Sequence, residues 1–258
     1  LDVLKKPNIS GFEIELDYPA YTGRKDEALQ NVGDLVVPVG TNIDWVFTAE
    51  HTDEMAIQFF GEKERIPVKR FSDDLFTLQR KAMRDGTYKL FVSNEDLPNA
   101  DSIGYTISVI PDQYPSISVE KFEDSLSTKL YYFIGEASDD YGLRSLSFNY
   151  RINRVENDQT EEPLQRIPLD KPTGKAAQYS YTWDLTELSL KPGDEVIYYF
   201  ETFDNDGVNG SKSSRTGTMV YTMPTKEEFQ QMEEENDQEI KDRLEKSLKE
   251  SRQIQKDM

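Results

Sequence analysis

The sequence predicts an all-β chain: two β-sandwiches in tandem, followed by a C-terminal α-helix. Three observations predict it. Short β-branched and aromatic runs recur between Gly, Pro, Asn and Asp turns, at the spacing of a sandwich of about seven strands. Their order in the first half of the chain returns in the second, at low identity, which marks a structural repeat. After Pro224 the apolar spacing changes from that of a strand to that of a helix.

The longest run, Glu195-Val196-Ile197-Tyr198-Tyr199-Phe200-Glu201-Thr202-Phe203, reads as the central strand of the second unit. Lys191-Pro192-Gly193-Asp194 leads into it and Asp204-Asn205-Asp206-Gly207 leads out, both turn compositions. Residues 86–92 do the same job in the first unit. Before them come strand candidates at 12–16, 35–39, 43–48, 55–60 and 76–79, and after them 105–110. Tyr18-Pro19-Ala20-Tyr21-Thr22-Gly23 reads as a turn or edge, because Pro fixes the backbone there. Polar loops are expected up to Gly33 and over 94–102.

Pro111-Asp112-Gln113-Tyr114-Pro115 reads as a short, semi-rigid joint. The units are therefore placed at 1–111 and 112–223, with the helix at 225–258. In the second unit, strands are expected at 116–119, 130–134, 143–150, 179–183 and 218–221, with a polar loop over 153–162. Thr225 and Glu228 form a capping-box pattern. Phe229, Met232, Ile240, Leu244, Leu248, Ile254 and Met258 make a thin apolar stripe, with Asn236 where an apolar residue would fit. Such a helix is marginal alone. It is expected to meet a protein partner, or a second copy of the chain, as the start of a coiled coil, or to project into solvent where that partner is absent.

Composition excludes several classes. The 258 residues carry a formal net charge of -19, without the clustered Lys and Arg that nucleic acid or an anionic membrane surface requires. The chain has no Cys, which removes disulfides, thiolate nucleophiles and Cys-ligated zinc. His51 is the only His, so neither a Ser-His-Asp triad nor a two-His metal site can be built. No phosphate-cradling Gly-rich pattern occurs, and no cofactor is expected. No run is long enough to span a bilayer and no signal-peptide pattern is present. The chain opens on Leu1-Asp2-Val3 and ends within a helical pattern, so further segments are expected at both ends.

The candidate site residues each have a plainer reading. Asp204 and Asp206 lie in a loop that resembles a calcium loop, but in an EF-hand register Thr202 would open it and Ser213 would replace the closing Glu. Turn chemistry explains the loop more simply. Asp139 and Asp140 could supply carboxylates, but neighbours on a strand point to opposite faces and would not converge, and Asp139-Asp140-Tyr141-Gly142 reads more simply as a turn. If both acidic loops lie at one end of the unit, a weak calcium site remains open. Tyr179, Tyr181 and Trp183 share one strand face, which suits either a stacking platform for a glycan or, more simply, a core. Asn8-Ile9-Ser10 and Asn209-Gly210-Ser211 fit the short N-glycosylation pattern.

Four stretches carry a resemblance: Tyr18-Pro19-Ala20-Tyr21-Thr22-Gly23-Arg24, Val39-Gly40-Thr41 with Trp45, Ser138-Asp139-Asp140-Tyr141-Gly142-Leu143, and Phe203-Asp204-Asn205-Asp206-Gly207. With them the chain resembles a DUF4175-like family of large membrane-anchored Gram-negative envelope proteins. The resemblance implies immunoglobulin-like or fibronectin-III-like modules between N-terminal transmembrane helices and a long coiled coil. It implies a periplasmic, non-enzymatic fragment that meets the membrane only through segments outside this chain. It carries over no catalytic residue. The expected role is a structural or protein-interaction region, a spacer and docking surface. The alternatives are a carbohydrate-binding module and a hydrolase of envelope polymers, which would need two convergent carboxylates in a cleft.

Overall fold

The computed structural model describes residues 4–124, 127–155 and 160–257. The first half holds β1 (Asn8–Asp17), β2 (Glu27–Gln30), β3 (Leu35–Pro38), β4 (Asn42–Glu50), β5 (Glu54–Phe59), β6 (Ile66–Pro67), β7 (Lys69–Arg70), β8 (Leu75–Lys81), β9 (Gly86–Ser93) and β10 (Asp101–Ile110). The second holds β11 (Ser116–Asp124), β12 (Ser127–Ser138), β13 (Leu143–Arg154), β14 (Thr160–Glu161), β15 (Gln165–Pro168), β16 (Ala176–Asp184), β17 (Glu195–Asp204), β18 (Ser213–Arg215) and β19 (Met219–Thr222), followed by α1 (Lys226–Asp257).

Each half is a β-sandwich. In the first, the sheet β2-β1-β4-β8-β7 faces the sheet β3-β10-β9-β5-β6. In the second, β11-β12-β16 faces a sheet in which β17 lies between β13 and the split strand β18/β19. The shared plan is direct: β1-β4-β8 matches β11-β12-β16, and β5-β9-β10 matches β13-β17-β18/β19. This is the arrangement of immunoglobulin-like and fibronectin-III-like modules. β3 departs from it by crossing to the opposite sheet and pairing parallel with β10.

Period-two alternation builds both cores. Along β4 it turns Ile43, Trp45, Phe47 and Ala49 inward, all fully buried. Trp45 Nε1 donates to Tyr88 Oη at 3.3 Å, and Tyr88 Oη donates to the Gly33 carbonyl at 2.8 Å. A Cβ on Gly33 would lie 2.2 Å from the Tyr105 ring, so only glycine lets that ring cover the strand end. The second core centres on Phe148, whose ring lies 4.7 Å from those of Tyr181 and Trp183 and 5.0 Å from that of Phe200.

The short strands β2, β6, β7, β14, β15 and β18 go beyond the sequence reading. Most are polar edge pieces, β6 (Ile66–Pro67) excepted, and they extend along a neighbour's free backbone edge, as when Leu29 of β2 pairs with Ile14. The Tyr18–Gly23 stretch forms a 3-10 turn over Ala20–Thr22, closed by Gly23 at φ 65. The capping box forms as read: Glu228 N donates to Thr225 Oγ1 at 3.2 Å, and Thr225 N donates back to Glu228 Oε2 at 2.8 Å.

Candidate functional site at the junction of the sandwiches

The face of β17 that builds the second core also builds this site. Inward alternation buries Val196, Tyr198 and Phe200, then continues to Thr202 and Asp204, both fully buried. The core thereby runs into a buried carboxylate where the strand meets the inter-sandwich linker. Asp204 Oδ1 accepts from Asp206 N at 3.1 Å and from Lys212 N at 2.9 Å. Asp206 Oδ1 accepts from Val208 N at 2.7 Å and from Asn209 N at 3.1 Å. These contacts are the turn chemistry expected of the loop.

The remaining oxygens converge on Lys212. Its Nζ lies 2.9 Å from Asp204 Oδ2, off the direction a hydrogen bond needs, and 3.2 Å from Asp206 Oδ2. It also pairs with Asp112 Oδ2, from the linker. Burial would lower the Lys212 pKa, but the carboxylates of Asp112, Asp204 and Asp206 outweigh it and raise it. Asp206 is also pushed up by burial, yet donors from Val208 N, Asn209 N and Lys212 hold it below the usual carboxylate range. Asp112 goes the other way, to about 6: burial dominates, Lys212 opposes it, and Asp140 and Asp204 add to it.

Asp139 and Asp140 lie beyond the end of β12, in the turn read for residues 139–142. The expectation that they diverge is corrected, because the alternation of strand neighbours does not hold in a turn. Asp139 Oδ2 accepts from Tyr141 N at 2.9 Å and Gly142 N at 2.7 Å. Carboxylate oxygens of Asp112, Asp139 and Asp140 come within 4.8 Å of one another. The two acidic loops therefore sit at one end of the second sandwich, with Asp112 touching both groups. The sequence reading missed Asp112 and Lys212 in this role. The available signal was an Asp held between Pro111 and Pro115, next to two acidic turns.

The first sandwich closes over the same loops. The Tyr21 ring meets the Tyr141 ring edge-on at 5.3 Å, and Asn205 Nδ2 donates to the Tyr21 carbonyl at 3.1 Å. Gly40, at φ 89, lets Val208 approach: a Cβ there would lie 2.6 Å from Val208 Cγ2.

The other candidates lie elsewhere. Tyr179 and Trp183 are buried, and Tyr181 packs against the same core, so this stripe is no glycan platform. Tyr179 Oη donates to the Ser118 carbonyl at 2.8 Å, across Gly135, where a Cβ would meet that carbonyl at 2.3 Å. Of the helix stripe, Phe229, Ile240, Leu244 and Leu248 are exposed. The side chains of Met232, Asn236, Ile254 and Met258 lie outside the described residues. His51 is an exposed turn residue at φ 54 whose carbonyl accepts from Asn94 Nδ2.

No family model and no curated protein matches the chain. Among solved structures it is similar to a candidate carbohydrate binding protein of Bacteroides uniformis, at 10% identity and a TM-score of 0.30, over 67% of this chain and 89% of that one. The fibronectin(III)-like modules of Clostridium thermocellum CbhA match at 11% identity and a TM-score of 0.26, over 82% and 94%. The FN1-FN3 domains of chicken CNTN1 match at 15% identity and a TM-score of 0.22, over 83% and 78%. The overlaps are too loose to add to the fold, which rests on the strand pairing above.

Proposed function

We propose that this chain is a non-enzymatic spacer and docking region of a membrane-anchored envelope protein, on the periplasmic side and anchored through segments outside this sequence. The helix carries the reading. Phe229, Ile240, Leu244 and Leu248 leave 44%, 48%, 59% and 57% of their surface exposed, although the cap holds the helix start in place. A helix with this stripe gains most by laying it against another helix, and a second copy of the chain supplies one. The location and the anchor come from the resemblance to DUF4175-like envelope proteins.

Two competing readings fare worse. Tyr179, Tyr181 and Trp183, the aromatic residues singled out for a glycan platform, are spent on the core, which leaves that reading Phe122 and Tyr132, exposed cross-strand partners on β11 and β12. The acidic groups that converge include Asp112, whose side chain is 1% exposed, so a polymer substrate cannot reach it.

Sedimentation velocity over a wide concentration range tests the docking role. The chain is expected to self-associate with a rise in helicity, and Leu244→Glu should abolish both. A chain that stays monomeric with a frayed helix at the highest concentration would overturn it. The anchor is tested by the full gene product, which should carry hydrophobic spans before Leu1 and a long heptad or hendecad region after Met258.

A further inference from the structure

The geometry points to a divalent-cation site, best suited to calcium, in which Asp112 of the linker joins Asp139 and Asp140 of the second sandwich. Oxygens no more than 4.8 Å apart can all lie within about 2.8 Å of one point, close to the calcium–oxygen distance of about 2.3–2.6 Å. A second observation is independent of that proximity. The Asp112 side chain is 1% exposed and Asp139 is 9% exposed, yet the Oδ1 atoms of Asp112, Asp139 and Asp140 are all buried without a hydrogen-bond partner. Proteins rarely leave a buried carboxylate oxygen unpaired, because the group forfeits its hydration for nothing.

Charge argues the same way. Lys212 holds the carboxylates of Asp112, Asp204 and Asp206, and Asp112 in turn lies against those of Asp139 and Asp140. Cations at the rim include Arg24, which interacts with Tyr141, Lys175, whose Nζ lies 5.6 Å from the Tyr141 ring, and Arg144, which donates to Ser211 Oγ at 3.1 Å. Lys212 is committed to Asp112 Oδ2 and to the 204–206 loop, and among the described residues no Lys or Arg forms an ion pair with Asp139 or Asp140. A buried excess of this size is costly unless compensated. The donors are all oxygen, which disfavours zinc and copper. They come from two separate segments, and calcium tolerates an irregular shell where magnesium demands an octahedron. Asn205 Oδ1, also buried and unpartnered, is a further neutral oxygen on the adjoining loop.

The consequence is mechanical. Bound there, the ion ties the linker to the turn whose Tyr141 ring meets Tyr21 of the first sandwich. This deepens the spacer reading by naming what stiffens its joint. Ion binding and helix-driven association are measured separately, so either can fail without the other.

The test is calorimetric titration of the chelator-treated chain with calcium chloride and, separately, magnesium chloride, paired with thermal melting. One calcium ion per chain is expected, with a rise in Tm, and tighter binding than magnesium. Asp112→Asn and Asp140→Asn should each weaken calcium at least about tenfold, the loss of one charged ligand. Tyrosine-sensitised terbium emission from the unsubstituted chain, displaced by calcium, gives the same readout without relying on a variant's folding. No saturable heat and no displaceable terbium up to about 10 mM, above the range of weak extracellular calcium modules, would overturn the proposal. So would calcium binding that is identical in folded Asp112→Asn and Asp140→Asn variants, since that is attraction to an acidic surface.

Discussion

Asn205 Nδ2 donates to the backbone carbonyl of Tyr21 at 3.1 Å, a contact between residues 184 positions apart that ties the second sandwich to the first. The same loop sends Val208 against Gly40 and holds Lys212 against the linker. One loop thus contacts both the first sandwich and the linker.

Gly40→Ala tests that joint. The backbone there, at φ 89, disfavours any Cβ, and the new atom would also press on Val208. A loss of about 1–3 kcal/mol in the first sandwich is expected. Val208→Ala should relieve the contact but leave the backbone strain. A double-mutant cycle read by chemical denaturation should show coupling of about 0.5 kcal/mol or more, and strict additivity would count against the contact.

Tyr88→Phe removes the hydroxyl that accepts from Trp45 Nε1 and donates to the Gly33 carbonyl. Both groups are left in a core where Trp45 is fully buried and Tyr88 is 1% exposed. A destabilisation of about 1–3 kcal/mol follows from the unpaired donor and acceptor. Equilibrium urea unfolding measures it, with an unchanged m-value expected.

Trp183→Ala separates a core role from a binding role. Trp183 is 5% exposed and packs against Phe148 and Tyr198 at 4.7 and 5.0 Å. Its truncation should cost about 3–5 kcal/mol. A glycan array should show the unsubstituted chain without ligands that depend on this residue. Retained stability together with lost glycan binding would reverse the assignment.

The pH dependence of the joint has a definite sign. With its folded pKa near 6 against 3.8, Asp112 binds a proton more tightly in the folded state. In calcium-free buffer its contribution to stability is complete below about pH 4 and is lost as pH rises through about 6. Asp112→Asn should therefore flatten the fall in Tm over that window. Asp206, held low by its donors, acts oppositely: its contribution is present above pH 3.8 and is lost as pH falls through its lower folded pKa. A Tm profile between pH 4 and 6 that is the same with and without Asp112 would contradict the assignment.

Much of the architecture was legible because it is written in local period. The alternation of Ile43, Trp45, Phe47 and Ala49, and of Val196, Tyr198 and Phe200, requires only that one strand face be buried. The capping box at Thr225 and the turn at Gly23 are equally local. By itself the sequence determined two sandwiches in tandem, the helix after them, and the dominance of turn chemistry in the acidic loops.

Tertiary structure alone decided which groups meet. Asp112 and Lys212 are 100 positions apart, and no period relates them. The edge strands β2, β15 and β18 carry no pattern of their own and extend only because a partner strand offers an open backbone edge. Whether Asp139 and Asp140 diverge or converge turned on where β12 stops, a boundary fixed by packing against β11 and β16. Periodicity records what a residue's own strand or helix needs. A site assembled from a linker and two loops depends on how separate elements dock, and that information is spread over every residue that packs between them.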